Sequence, residues 1–237
     1  MEQTSLEQEH QELKEHFLAL TNNYQQTWIA IFDRFHLIDS LIEDNKKISK
    51  NIFLNIDQLL KKNKLSLEDL SFYAANQGPG PFTTARSILT SLNGLACATK
   101  KLLVGINGIE TFLDEQYDAN CDYTIVLNNA FCNDVYYAIL DRGENYEIGC
   151  VQFDIMIEII NTLPGNKIKL IGSIIEEKKI ELGDRVKKFL VIPKQVPINA
   201  SIESIGIKAY RQWLKKENIT QELLPLYLKE SSKKFSL

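Results

Sequence analysis

Asn76-Gln77-Gly78-Pro79-Gly80-Pro81-Phe82-Thr83-Thr84-Ala85-Arg86 separates two apolar patterns of different period. Upstream lies the short run Phe72-Tyr73-Ala74-Ala75. Downstream, Ala85, Ile88, Leu89, Leu92, Leu95 and Ala96 keep the spacing of one face of a helix. The reading is strand, Gly/Pro loop, then helix over Thr83–Thr99. Glycine lets the backbone take positive φ, and a proline by the first helical turn loses only an N–H that would be orphaned. Such a junction aims the positive end of a helix at whatever lies above it. It is not a nucleotide fingerprint: neither GxGxxG nor GxxxxGK[ST] is present. Pro79 and Pro81 also thin the row of donors that a phosphate nest uses. Two readings stand: a structural turn, and an anion or nucleotide contact through Gly78, Gly80, Thr83 and Arg86. Arg86 sits in the first turn of the helix, where the dipole disfavours a cation. Its candidate tasks are a salt bridge, an anion contact near Gly80, or solvation.

Working outward, Phe17–Leu20, Thr27–Phe32 and His36–Glu43 read as three antiparallel strands joined by short polar turns. Ile48–Lys62 is helical by the spacing of Ile48, Ile52, Ile56, Leu59 and Leu60, with Phe53 widening the stripe. Leu102–Ile106 is an apolar strand, and Asn107-Gly108 turns into a helix carrying Ile109, Phe112 and Leu113. Tyr123–Leu127, Val135–Leu140 and Tyr146–Val151 are three further strands, followed by a helix over Phe153–Thr162 that stops at Pro164-Gly165. Strands at Ile168–Ile171 and Phe189–Ile192 flank a charged helical stretch around Ile174–Leu182. A last helix, Ser201–Lys216, aligns Ile202, Ile205, Ala209 and Trp213.

Strands followed by helix and strand occur twice, which predicts two lobes: 17–107, with the helix at 201–216 packing across, and 108–200. Met1–His16 reads as a polar leader and 229–237 as a flexible tail. Trp28 and Trp213, each on an apolar stripe, are expected in the core. Tyr227 can anchor the tail against the body.

The 237 residues suffice for a substantial core, and the net charge of −4 argues against a protein that grips nucleic acid alone. No charged-then-apolar leader pattern and no run near 20 apolar residues occurs, so the expectation is a cytoplasmic protein with no membrane association. The cysteines at 97, 121, 132 and 150 form no CxxC pair and read as scattered buried thiols. Histidines stand only at 10, 16 and 36, too few and too spread for a metal cluster, and no GxSxG elbow occurs. Cys132 lies near Asp134, which works against a reactive thiolate.

Four segments, in order, resemble the TsaB (YeaZ) family, non-catalytic partners in forming threonylcarbamoyladenosine on tRNA. The loop is similar to that family's GPGSFTGLR. Lys64-Leu65-Ser66-Leu67-Glu68-Asp69-Leu70 resembles its AGLSLSDLD, Leu102–Glu110 its PLVGVSSLE, and Leu224–Lys229 its PxYLR. The resemblance implies a two-lobe α/β fold of the actin-like and sugar-kinase-like (ASKHA) class, with mixed sheets flanked by helices. It implies no catalytic residue, no required cofactor or metal, and ATP or ADP bound weakly or at a partner interface. It also implies pairing with a TsaD-type catalytic subunit, a TsaE-type ATPase as a further partner, and tRNA met only through the complex. The TsaD paralogue uses an HxxxH-type metal motif that this sequence lacks. The expected pairing surface is the two helices 48–62 and 83–99, through Ile52, Phe53, Ile56, Ser87, Thr90, Ser91 and Gly94.

Two family acids are missing: Thr21 stands where a DTS-like turn is expected, and Asn129-Ala130-Phe131 stands for a DAR. A hydroxyl cannot hold Mg²⁺ as a carboxylate does, which counts against phosphoryl chemistry at Thr21. The rival readings are a degenerate nucleotide-binding kinase or ATPase on the same fold, and a homodimer formed through the same helices.

Overall fold

The computed structural model describes residues 15–142 and 145–228. Of the leader expected at Met1–His16, residues 1–14 lie outside the described residues, as does the tail at 229–237. The chain opens with β1 (His16–Asn22), β2 (Gln26–Asp33) and β3 (His36–Asp44), followed by α1 (Asn45–Lys62), β4 (Leu70–Asn76), α2 (Phe82–Thr99) and β5 (Leu102–Ile106). It continues with α3 (Gly108–Gln116), β6 (Tyr123–Asn129), β7 (Asp134–Asp141), β8 (Asn145–Gln152), α4 (Phe153–Thr162), β9 (Lys167–Ile171), α5 (Lys179–Arg185), β10 (Phe189–Val191), α6 (Ile202–Lys215) and β11 (Ile219–Thr220).

Two mixed sheets result, in strand orders β11-β5-β4-β1-β2-β3 and β10-β9-β6-β7-β8. In the first, β1–β3 form an antiparallel meander while β4 and β5 run parallel to β1. β1 reads as a continuous apolar run because both of its faces are covered. Leu18 and Leu20, with Ile29 and Ile31, pack under α1 and α2; Phe17 and Ala19, with Ala30 and Phe32, pack on the opposite side. That opposite layer is α6 with α3. It is shared with Val126, Ala138, Leu140 and Ile171 of the second sheet. The outer face of the second sheet is closed by α4 and α5.

The molecule is therefore layered as helices, sheet, helices, sheet, helices. In the central layer Phe72 lies 4.5 Å from Phe17 and 4.4 Å from Trp213, ring centre to ring centre. The Glu15 carboxylate ties this stack to α6 by accepting from Trp213 Nε1 (2.7 Å) and Tyr210 Oη (2.8 Å).

Local signals set most boundaries. Asp44, Asn107 and Ser201 cap α1, α3 and α6 by accepting backbone N–H groups of the first turn. Three differences from expectation appear. Residues 174–178 form turns, and the helix expected there begins only at Lys179. The two-residue β11 adds to the first sheet beside β5. Cys97 and Cys132 are exposed rather than buried, and only Cys121 and Cys150 are inside.

Candidate functional site

The motif loop joins β4 to α2 and is stitched from below. The Asn76 side chain, almost fully buried, accepts from Gly78 N (2.8 Å) and donates to Thr21 Oγ1 (3.1 Å). The Thr21 hydroxyl is thus a structural partner of the loop. Gln77 N donates to Ile106 O, and Gly108 N donates to Gly78 O, each at 2.9 Å. Gly108 has to be glycine, since a Cβ there would sit 2.2 Å from Asn76 Oδ1. Gly78 has φ of 113°, a conformation L side chains rarely adopt, and precedes a cis bond to Pro79.

Of the loop amides, Gln77 and Gly78 are engaged internally, and two of the remaining three residues are prolines. α2 begins at Pro81 with no side-chain cap, and Thr83 is exposed in its first turn.

The C-terminal segment crosses over this loop. Leu226 N donates to Gln77 O (2.9 Å), Gln77 Nε2 donates to Leu224 O (2.7 Å), and Asn93 of α2 exchanges two bonds with Leu223 (3.0 and 2.9 Å). Arg86 completes the clamp: its guanidinium lies 4.0 Å from the Phe82 ring centre, and Nη2 donates to Tyr227 Oη at 3.1 Å. Phe82 and Tyr227 are 5.0 Å apart. No carboxylate among the described residues pairs with Arg86. Tyr227 does hold the tail segment on the body.

Across the loop lies the β6–β7 turn. Asn129, at the place of the missing acid, is bound on all sides. Its N–H donates to Ser173 Oγ (3.0 Å), its Oδ1 accepts from Phe131 N (2.8 Å), and its carbonyl accepts from Tyr24 Oη of the β1–β2 turn. Burial pushes the Tyr24 hydroxyl from 10.0 up to about 12. This contact joins the two sheets at their turns. Phe131, Cys132 and Asn133 then run with φ of 61°, 56° and 63°, three successive non-glycine residues in the left-handed region. Loop and turn enclose a cleft of ≈ 620 Å³ lined by Gly80, Phe82, Arg86, Phe131, Tyr136 and Tyr227 among others.

The second candidate region is the outer face of α1 and α2, which pack on each other. Here the sequence expectation needs correcting. Ile52 and Ile56 are 2% and 3% exposed and belong to the core beneath, because the apolar stripe of α1 is what the sheet takes up; Ile56 also forms part of the floor of the groove beside Phe53. The residues offered outward are Phe53 and Leu54, 53% and 54% exposed. On α2, Thr90 and Gly94 are exposed and Ser87 and Ser91 half-buried. Nothing lies within 4 Å of where a Gly94 Cβ would stand. Beside Phe53 a groove of ≈ 480 Å³ runs between α1, the segment Leu65–Glu68 and Leu95 of α2, with Asp57 and Lys61 on its rim. Leu54 was not singled out from sequence; its only marker was an apolar residue off the helical stripe of α1.

Among the described residues no three His, Cys, Asp or Glu side chains gather to hold a metal ion, and no helix is long and apolar enough to cross a membrane.

The family model described as "TsaD: tRNA N6-adenosine threonylcarbamoyltransferase" matches residues 43–230. No curated protein matches. Among solved structures, YeaZ from Pseudomonas aeruginosa superposes with a TM-score of 0.68 at 18% identity, covering 90% of this chain and 100% of that one. A Pseudomonas aeruginosa protein described as similar to peptidase YEAZ gives 0.67 at 16% identity, over 91% of this chain and 100% of the other. The α/β architecture expected from the sequence, mixed sheets flanked by helices, is the one observed, and it is the fold of YeaZ. With residues 43–230 matched by the family model, this chain belongs to the TsaD family, and its fold is that of YeaZ.

Proposed function

We propose that this chain is the non-catalytic, TsaB-type subunit of the complex that forms N6-threonylcarbamoyladenosine on tRNA, and that it works by pairing with a TsaD-type catalytic subunit. A TsaE-type ATPase is a further partner in this reading, and tRNA is met through the assembly. The carrying observation is the outer face of α1 and α2. There α1 exposes two large apolar side chains, Phe53 and Leu54, and α2, packed on it, exposes the small positions Thr90 and Gly94. Exposed apolar side chains of that size, grouped beside an apolar groove, mark a protein-binding surface. Small residues let a second helix pair approach closely enough to complete a four-helix contact.

The chemistry supports the same division of labour. Thr21 and Asn129, at the two places where relatives carry acids, are both occupied as structural hydrogen-bond partners. His16 and His36 open separate strands and form no pair spaced for a metal. Bond-making falls to the partner, and this chain supplies a shape.

Gly94→Trp tests the reading. The new ring points into open space, so the isolated fold keeps its melting temperature while co-purification with the catalytic subunit is lost. A Gly94→Trp chain that still pairs would overturn the assignment of this face. Self-association through α1 and α2 is a separate outcome, read by light scattering on the chain alone.

A further inference from the structure

The cleft between the motif loop and the β6–β7 turn carries a second inference, independent of the pairing face. Three of the large side chains in its walls are among the most exposed aromatic residues described: Phe82 (42%), Phe131 (57%) and Tyr227 (41%). Phe82 and Tyr227 come from α2 and the C-terminal segment, whereas Phe131 and Tyr136 come from the opposite lobe. A cleft faced with rings from both sides suits a planar, aromatic occupant. Among the described residues the lining holds one cation, Arg86, and no acid, although the chain as a whole is acidic. Charge complementarity therefore asks for a negative group attached to that ring.

The same geometry decides between a free nucleoside triphosphate and a nucleotide within a strand. A triphosphate with its Mg²⁺ needs several backbone donors and a carboxylate. Here Gln77 N and Gly78 N are bound internally, Pro79 and Pro81 have no N–H, and no carboxylate among the described residues lines the cleft. What remains is ring stacking plus one phosphate contact, which is how single-stranded nucleic acid is held without sequence selection.

We propose that this cleft takes one unpaired nucleotide of an RNA strand, its base stacked among Phe131, Tyr136 and Tyr227 and its phosphate against Arg86. The turn at Phe131–Asn133, which holds an exposed aromatic ring in a left-handed backbone, is the element that presents the stacking platform. The net charge of −4 means that the contact adds to binding made elsewhere in an assembly rather than replacing it.

The test is fluorescence anisotropy of a short, labelled, unstructured RNA oligomer titrated with the full chain at low salt. The expected result is weak but saturable binding, with a dissociation constant on the order of 0.1–1 mM. Phe131→Ala and Arg86→Gln should each weaken it about tenfold, while Phe131→Trp restores it. Circular dichroism confirms that each variant is folded. A fully paired duplex of the same sequence should bind no better than the Phe131→Ala chain binds the single strand. No saturable binding, or equal affinity in all the variants, would overturn the proposal. Displacement of the RNA by micromolar ATP with Mg²⁺ would also overturn it and assign the cleft to a free nucleotide. None of these outcomes bears on pairing, which Gly94→Trp reads farther along α2, on the outer face it shares with α1.

Discussion

Two connections face one another across the cleft, and they are built on opposite terms. The motif loop, residues 77–81, puts glycine where φ is positive, prolines where no donor is needed, and bonds its amides to β5, α3 and the side chain of Asn76. The β6–β7 turn does the reverse. It puts Phe131 and Cys132, as well as the more tolerant Asn133, in the left-handed region, where a side chain such as phenylalanine costs roughly 1–2 kcal/mol, and leaves the Phe131 ring half-exposed, edge-on to Tyr24. The first connection is architecture, with each residue agreeing with its local geometry. The second departs from local preference, and such departures gather where a surface is used. The family-like motif is thus the wall whose residues agree with their backbone, and the Asn-Ala-Phe-Cys-Asn turn is the one whose residues do not.

Substitutions can break this contrast. The largest effect is expected at Gly108, whose missing Cβ makes room for Asn76. Gly108→Val should destabilise the fold by about 3 kcal/mol, a drop of roughly 6–12 °C in melting temperature. An unchanged melting temperature would mean that the loop is not braced as described.

Tyr24→Phe comes next. It removes the donor that joins the first sheet's turn to Asn129 and leaves that carbonyl unpaired, at about 1 kcal/mol. This contribution depends on pH with a definite sign. The folded hydroxyl titrates near 12 against 10.0 in the open chain, because burial disfavours the phenolate. Its share of stability is complete below pH 10 and is lost as pH rises from 10 towards 12. Urea melts of wild type and Tyr24→Phe should therefore differ most below pH 10 and converge above it. Other buried tyrosines fall away over the same range in both chains, so only the difference between the two is diagnostic.

The smallest effect has the opposite sign. Cys132→Gly relieves a left-handed residue at an exposed site, and after the entropy glycine adds to the unfolded chain it should stabilise by about 0.5 kcal/mol. A loss of stability there would show that the turn is not strained.

Much of the fold was legible because hydrophobic period and caps agree along the chain. Leu102–Ile106 and Phe153–Thr162 were read with the bounds the structure has. Two residues, Ile219 and Thr220, are too few to show a period, so β11 appears only through its pairing with β5. The charges at 174–182 imitate a helical face, yet the chain turns until Lys179 before it coils.

The site was less legible, for reasons of distance and of face. Arg86 meets Tyr227 across 141 positions of sequence, and nothing local to either residue announces the other. Ile52 and Ile56 looked like a binding strip because an amphipathic stripe is the strongest signal a helix gives. That stripe belongs to the helix's own sheet. Phe53, named from the sequence beside the stripe, and Leu54, which was not, are the large apolar side chains that α1 leaves exposed.

The account turns on this chain acting by being gripped rather than by making bonds. The direct measurement is formation of threonylcarbamoyladenosine on tRNA by a fixed amount of the TsaD-type subunit, with its ATPase partner present, as this chain is titrated in. Activity should climb and saturate with wild type, stay at baseline with Gly94→Trp, and be zero for this chain without the catalytic subunit. Modification of tRNA by this chain alone, or equal activation by Gly94→Trp, would contradict the account.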